Sequence, residues 1–157
     1  YKLKITQNNK NFTMINLSNP HINRLRSSGL RPTKQRLAIC KVLFDKKETF
    51  HFTIDNLKKK IEKNIKSKIT VATIYNTVHA FKNKGYLKEV SLQGNKTFFD
   101  TNTKSHHHFY DRDTDNLMDI KNEDIFVSKL PLAPRGKKIK EIEVTISLEN
   151  NNQNQKK

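Results

Sequence analysis

At 157 residues with 34% hydrophobic side chains, the chain suffices for one ordinary domain or two small ones, with a core modest enough that dimerisation would complete it. A formal net charge of +16 points to a polyanionic partner, and the single cysteine, Cys40, excludes a disulfide framework and a Cys-x-x-Cys metal knot. No stretch is apolar for long enough to form a membrane-crossing helix and the first residues are polar, not signal-like, so a cytoplasmic protein is expected.

The charge is unevenly placed. Residues 1–92 hold 20 Lys and Arg against 5 Asp and Glu, whereas residues 93–157 hold 11 against 10. An AT-rich genome inflates Lys, Asn and Ile, but codon bias gives no reason for that division. A basic half joined to a near-neutral half reads as a polyanion-binding module followed by something else.

Residues 1–20 are polar and unpatterned and end in Asn19-Pro20; they read as a disordered arm, or as a start-site artefact with Met14 the true initiator. Residues 21–28 fit a short helix stopped by Gly29. Arg31-Pro32-Thr33 opens a second helix, with Pro32 in the first turn, where its missing N–H costs nothing. Leu37, Cys40, Leu43 and Phe44 follow at helical spacing, which makes Cys40 a core residue. Thr53 caps a third helix with Ile54, Leu57 and Ile61 on one face, and Lys58-Lys59-Lys60 end it favourably for the dipole. Thr70 caps a fourth, which runs to about Lys84 and stops at Gly85. Its apolar face is Val71, Ile74, Val78 and Phe81; Ala72, Thr73, Asn76 and Asn83 lie opposite, and Tyr75 sits at the flank.

Residues 86–91 and 96–101 read as strands joined around Gly94-Asn95. After Asp100 the character changes. His106-His107-His108 leads into Phe109-Tyr110 and an acidic turn, and residues 117–120 read as another strand. Residues 124–129 fit one helical turn, and Pro131 and Pro134 break the chain. Ile142, Val144, Ile146 and Leu148 alternate with polar residues, the pattern of a half-buried strand. Residues 149–157 read as a disordered tail. The expected fold is α+β: a winged helix-turn-helix DNA-binding domain over 21–101, then a small α/β dimerisation and sensing domain over 102–148. A small sheet with one apolar face needs cover, and a second copy supplies it economically.

In a winged helix the Thr70 helix enters the major groove and the basic hairpin lies along the backbone. Arg31, Thr33, Lys34 and Arg36 cluster at one helix start, where they suit phosphates. Asn76 can bond bidentately to adenine, and a methyl of Ala72 or Thr73 can touch a thymine methyl, with Tyr75 beside them. Double-stranded DNA with an A·T-rich palindromic operator is the expected partner, read by a homodimer. The competing reading of these residues is a solvated polar face.

Three consecutive His are commonly a solvated run, a tag remnant or a single structural ligand. On a strand, however, His106 and His108 share one face and His107 takes the other. Asp100 and Asp119 lie on neighbouring predicted strands, and His51 precedes the third helix. Such a set suits iron, zinc or manganese, and imidazole is also an axial ligand for haem. Spacing alone leaves the ligand and the idle readings open. A small metal-dependent hydrolase competes, but there is no His-Glu-x-x-His helix, nucleophile elbow or Gly-rich phosphate loop. The third reading is a generic basic nucleic-acid-binding protein whose His run is idle.

Gly-Leu-Arg-Pro-Thr-Lys-Gln-Arg at 29–36, His-Phe-Thr-Ile-Asp-Asn-Leu at 51–57, Val-Ala-Thr-Ile-Tyr-Asn-Thr-Val at 71–78 and Gly-Asn-Lys-Thr-Phe-Phe-Asp at 94–100, followed by the three His, resemble the ferric uptake regulator (Fur) family over roughly residues 25–148. Tyr-Asn-Thr at 75–77 and Phe-Asp-Thr-Asn-Thr at 99–103 are most similar to its iron response regulator (Irr) branch of alphaproteobacteria. Asn76 stands where the usual member has Arg, so the operator read would differ from the usual one.

The resemblance implies a transcriptional regulator of iron and haem homeostasis genes and not an enzyme. It implies a regulatory metal site at His51, Asp100, His106, His108 and Asp119, spanning the hinge, and a haem site at His106, His107 and His108. The alternative within the family is a regulator activated by Fe(II), Mn(II) or Zn(II). Asp111 and Thr114 stand at the first Cys pair of the family's structural zinc site, so no such zinc is expected. No His follows His108 to complete a second family metal site, and the Cys-Pro haem motif of some Irr proteins is absent.

Overall fold

The computed structural model describes residues 19–65, 68–92, 94 and 96–150. The expectations for residues 1–18 and 151–157 lie outside it. Helix α1 (Pro20–Ser27) starts on Asn19, whose side chain accepts from the His21 amide. Gly29, at φ 74°, turns the chain out of α1 while Leu30 N–H returns to the Leu25 carbonyl at 2.9 Å.

Helix α2 (Lys34–Phe44) is capped by Thr33, whose hydroxyl accepts from Arg36 N. Pro32 therefore precedes the cap and is not in the first turn as expected. Helix α3 (Ile54–Ile65) begins at Thr53 as expected but does not end at the three lysines. Leu57 and Ile61 are buried and Ile65 packs on the core, so the apolar row continues for another turn, supported by the Lys58–Glu62 pair. Helix α4 (Val71–Asn83) is capped by Thr70. One residue of its expected face is displaced: Val71 is 48% exposed, and Thr77 is buried in the row instead. The Thr77 hydroxyl is satisfied by the Thr73 carbonyl at 2.7 Å, which lets a polar residue serve in the core.

The helices enclose one core, in which Leu25, Ile39, Cys40, Leu57, Ile61, Ile74, Val78 and Phe81 are fully buried. A short strand β1 (His51–Phe52) joins β2 (Lys88–Leu92) and β3 (Lys96–Asp100) in an antiparallel sheet of order β1-β3-β2. Phe99 faces the helical core, so its neighbour Phe98 faces away and packs with Val90 against Leu117. That second cluster joins the first sheet to another, of order β5-β4-β6, built from β4 (His107–Asp111), β5 (Asn116–Ile120) and β6 (Thr145–Leu148).

The segment between β5 and β6 departs from expectation. It forms a 3-10 turn at Asn122–Asp124, and the helical turn over 124–129 is not formed. Phe126 and Leu132 stand 90% and 97% exposed. The alternating strand expected from Ile142 is regular only from Thr145, and it runs parallel to β4. Its first part is held less regularly: the Val144 carbonyl accepts from His108 N at 2.9 Å, its N–H donates to His107 Nδ1, and Glu141 and Glu143 both reach Lys88.

Candidate metal centre

Strand periodicity decides which side chains meet. Phe98 and Asp100 share one face of β3, and Leu117 and Asp119 share one face of β5. On β4, Tyr110 joins the second cluster and His108 lies on the same face, with His106 one step earlier. Asp100, His108 and Asp119 are thus carried to one seam beside that cluster. Register completes it, pairing His51 with Asp100 across β1 and β3, and His108 with Asp119 across β4 and β5.

His51, Asp100, His106, His108 and Asp119 each present one ligand atom, and these atoms lie within 4.8 Å of one another. His51 Nε2 is 2.8 Å from Asp119 Oδ1 and 3.4 Å from Asp100 Oδ2. His106 Nε2 is 3.0 Å from Asp100 Oδ2 and 3.4 Å from Asp119 Oδ1, and His108 Nε2 is 3.8 Å from Asp100 Oδ2. Donors at about 2.0–2.2 Å from a common ion stand roughly 3–3.5 Å apart, so these spacings suit one ion.

The close approaches lack hydrogen-bond geometry. Nε2 of all three His and Asp100 Oδ2 are buried without a hydrogen-bond partner. A carbonyl can only accept, so His106 Nδ1–H donates to the Lys104 carbonyl at 2.8 Å and leaves Nε2 as a lone pair. Lone pairs facing carboxylates need a cation between them, either a proton or a metal ion. Burial works against charge on His51, but Asp100, Asp119 and a backbone contact at Leu117 outweigh it and raise its pKa. Burial would also raise Asp100, yet His108, His51 and the Asn102 amide hold it well below the usual carboxylate range. Three imidazoles and two carboxylates, with no thiolate, fit Fe(II), Mn(II) or Zn(II).

His107 faces the other way, as the period requires, and its Nδ1 accepts from Val144. His106, His107 and His108 are 5%, 6% and 0% exposed. A haem iron needs an imidazole open to a planar macrocycle. The expected haem trio is divided between two faces and enclosed, so the geometry favours a bare ion. At the position of the family's zinc ligands, Asp111 closes its own turn: Oδ1 accepts from the Asp113 and Thr114 amides and Oδ2 from the Thr114 hydroxyl at 2.7 Å.

The candidate DNA-contacting residues separate into free and committed groups. Arg31, Thr33, Lys34, Ala72, Tyr75 and Asn76 are exposed. Arg36 is half-buried and donates to the Arg31 carbonyl at 2.9 Å, and the Thr73 hydroxyl is bonded to that of Thr70. Tyr75 packs at a tilt against His79 with ring centroids 4.0 Å apart, and His79 meets Phe99 edge-on. The hairpin is less available than its sequence implied. Lys88 lies 2.7 Å from both Glu141 and Glu143, and Lys96 pairs with Asp115. Both lysines are held by carboxylates of the C-terminal half.

Sequence reading missed Asn102, Lys88 and His79. Asn102 carried a usable signal, since Asp-x-Asn is an Asx-turn spacing; its amide donates to Asp100 Oδ1 at 2.7 Å. Lys88 carried none, because its partners lie 53 and 55 positions away.

Comparison with known proteins agrees with this architecture. The family model described as the ferric uptake regulator family matches residues 27–147. The peroxide-responsive repressor PerR of Staphylococcus aureus is 33% identical over 96 residues, 61% of this chain; the match spans 63% of the length of that relative. The fold is similar to that of the Vibrio cholerae ferric uptake regulator (TM-score 0.60, 19% identity, 82% of this chain and 98% of that one). It is also similar to the Pseudomonas aeruginosa ferric uptake regulator with manganese (TM-score 0.59, 19% identity, 84% and 98%). The Campylobacter jejuni peroxide stress regulator aligns at TM-score 0.52 and 22% identity, over 82% and 95%. With the family pattern matched over most of its length, this chain belongs to the ferric uptake regulator family.

Proposed function

We propose that the chain is a homodimeric, DNA-binding transcriptional regulator in which one divalent metal ion ties the DNA-reading half, residues 21–101, to the dimerisation half, residues 102–148. The observation that carries the reading is the convergence of His51 and Asp100 from the first half with His106, His108 and Asp119 from the second. An ion held there cross-links the two halves and, if it is iron, adds redox reactivity. The protein's own contribution is to keep both sheets in one register and so fix the angle at which α4 is presented.

Family membership supports a regulator over an enzyme. The exposed Tyr75, Asn76 and Ala72 on α4 support base reading, and Arg31 and Lys34 support phosphate contact, on an A·T-rich palindrome. The exposed Phe126, Leu130 and Leu132 support burial against a second copy. Such a regulator works in the cytoplasm on iron and haem homeostasis genes. A second reading is a peroxide response. It is favoured by the S. aureus relative named for that response. The Irr-like reading, with haem at His106, His107 and His108, has less support from the enclosed histidines.

The test is binding to an A·T-rich palindrome and to random duplex, with no addition, with Mn(II) or Fe(II), and with haem. The proposal requires preference for the palindrome and a change on adding the ion. Equal affinity for random duplex contradicts the regulator reading. A response to haem alone, lost in the His106→Ala/His107→Ala/His108→Ala variant, favours the Irr-like mechanism instead.

A further inference from the structure

Asn102 touches both carboxylates of the cluster. Its backbone N–H donates to Asp100 Oδ1 at 2.7 Å, and its side-chain Nδ2 donates to Asp119 Oδ2 at 3.1 Å. Its Oδ1 in turn accepts from Lys104 N at 3.2 Å, and the Lys104 carbonyl takes the His106 Nδ1–H. One residue therefore organises three of the five ligating side chains. Its own position is fixed from the other side, because the preceding Thr101 bonds through backbone and hydroxyl to Phe50, next to His51.

The consequence lies in which oxygens are left. Asn102 engages Asp100 Oδ1 and Asp119 Oδ2, whereas Asp100 Oδ2 and Asp119 Oδ1 face the imidazoles. A carboxylate oxygen turned toward a hydrogen-bond donor is the poorer ligand, so such a carboxylate presents a metal ion chiefly its other oxygen. One with both oxygens free can chelate and add to the coordination number, as in calcium sites.

On the metal-regulator reading above, we propose that Asn102 is a positioning residue that keeps both carboxylates single-oxygen donors, capping the protein's ligand set at five and so setting metal preference. Releasing Asp119 lets its second oxygen enter. That favours ions that take six oxygen-rich ligands, such as Mn(II), over Zn(II), which prefers fewer.

The test uses Co(II) as the probe on the full chain, with Asn102→Ala and Asn102→Asp. The Asp variant keeps the backbone donor to Asp100 and an oxygen for Lys104 N, and removes the Nδ2 donor to Asp119. Visible Co(II) bands weaken as the coordination number rises from five to six. The wild type is expected to give five-coordinate bands, and both variants weaker ones. The Ala variant is also expected to bind Co(II) about 10–100-fold less tightly. In both, the ratio of Zn(II) to Mn(II) affinity should fall. A purely structural role would move the melting temperature and leave the bands and that ratio in place. Unchanged bands and an unchanged ratio in the Asp variant overturn the proposal, with the metal-regulator reading intact. Failure of the wild type to bind Co(II), Mn(II) and Zn(II) overturns both.

Discussion

His51 Nε2 lies 2.8 Å from Asp119 Oδ1, although one precedes the third helix and the other sits on a strand of the second sheet. The pair brings the two sheets together at a second point, beside the apolar cluster they share, and it lacks hydrogen-bond geometry at His51. A cation between such groups binds the folded arrangement and not the unfolded chain. Added Mn(II) or Zn(II) is therefore expected to stabilise the protein by about 2.7 kcal/mol when present at a hundred times its dissociation constant. A chelator should reverse the gain, and Asp119→Ala should abolish most of it. Thermal melts with and without the ion measure this; equal melting temperatures would remove the site from the account.

The clamp on Lys88 makes a separate contribution. Its side chain is 14% exposed between Glu141 and Glu143, and these raise its pKa against the opposing effect of burial. Lys88→Ala is expected to cost about 1 kcal/mol, discounted because both Glu are partly solvated. The loss should shrink as salt is raised in the wild type, and urea unfolding at low and high ionic strength reads it directly. A variant as stable as the wild type at low salt would show the clamp to be idle.

Residues near the proposed DNA-reading helix should differ in kind. Asn76→Ala is expected to relax base preference by about 1–3 kcal/mol at the position it reads. Lys34→Ala should weaken all sequences alike and reduce the salt slope by about one. Arg36→Ala should also lower stability, because its guanidinium holds the Arg31 carbonyl. Anisotropy titrations on matched and mismatched duplexes, beside urea midpoints, separate these outcomes.

Cys40 provides a pH test independent of the metal centre. It is fully buried, and burial pushes the thiol up to about 12. The unfolded thiol ionises near pH 8.5, so above that the native chain retains a proton that the unfolded chain loses. Unfolding then becomes easier as pH rises, by about 1.4 kcal/mol per unit from this group. The wild type should lose stability between pH 8.5 and 10.5 more steeply than Cys40→Ala. Parallel profiles would mean that the thiol is reachable by solvent.

The helices were legible because periodicity and caps are local: Thr53 and Thr70 bond where a capping residue should, and only the start of α2 was misplaced, Thr33 capping it after Pro32. The candidate ligands were also legible, and a strand period of two separates His106 and His108 from His107 without any structure. Other features depended on distant partners. The segment after Ile120 forms a 3-10 turn in place of the helical turn expected over 124–129, and its apolar residues Phe126 and Leu132 have no cover in the single chain. The first residues of the expected last strand bond to His107 and Lys88, which no window around Ile142 contains. Asn102 was overlooked because it is not itself a ligand type, although it bonds to two of them.

The central claim is that an ion held by both halves governs DNA reading. Its most direct test is anisotropy on an A·T-rich palindrome during Mn(II) titration, with wild type and His51→Ala side by side. The account predicts that wild-type affinity rises with metal occupancy and that His51→Ala, still folded, shows no rise. Wild-type affinity indifferent to Mn(II), Fe(II) and Zn(II), or an equal rise in His51→Ala, would contradict it.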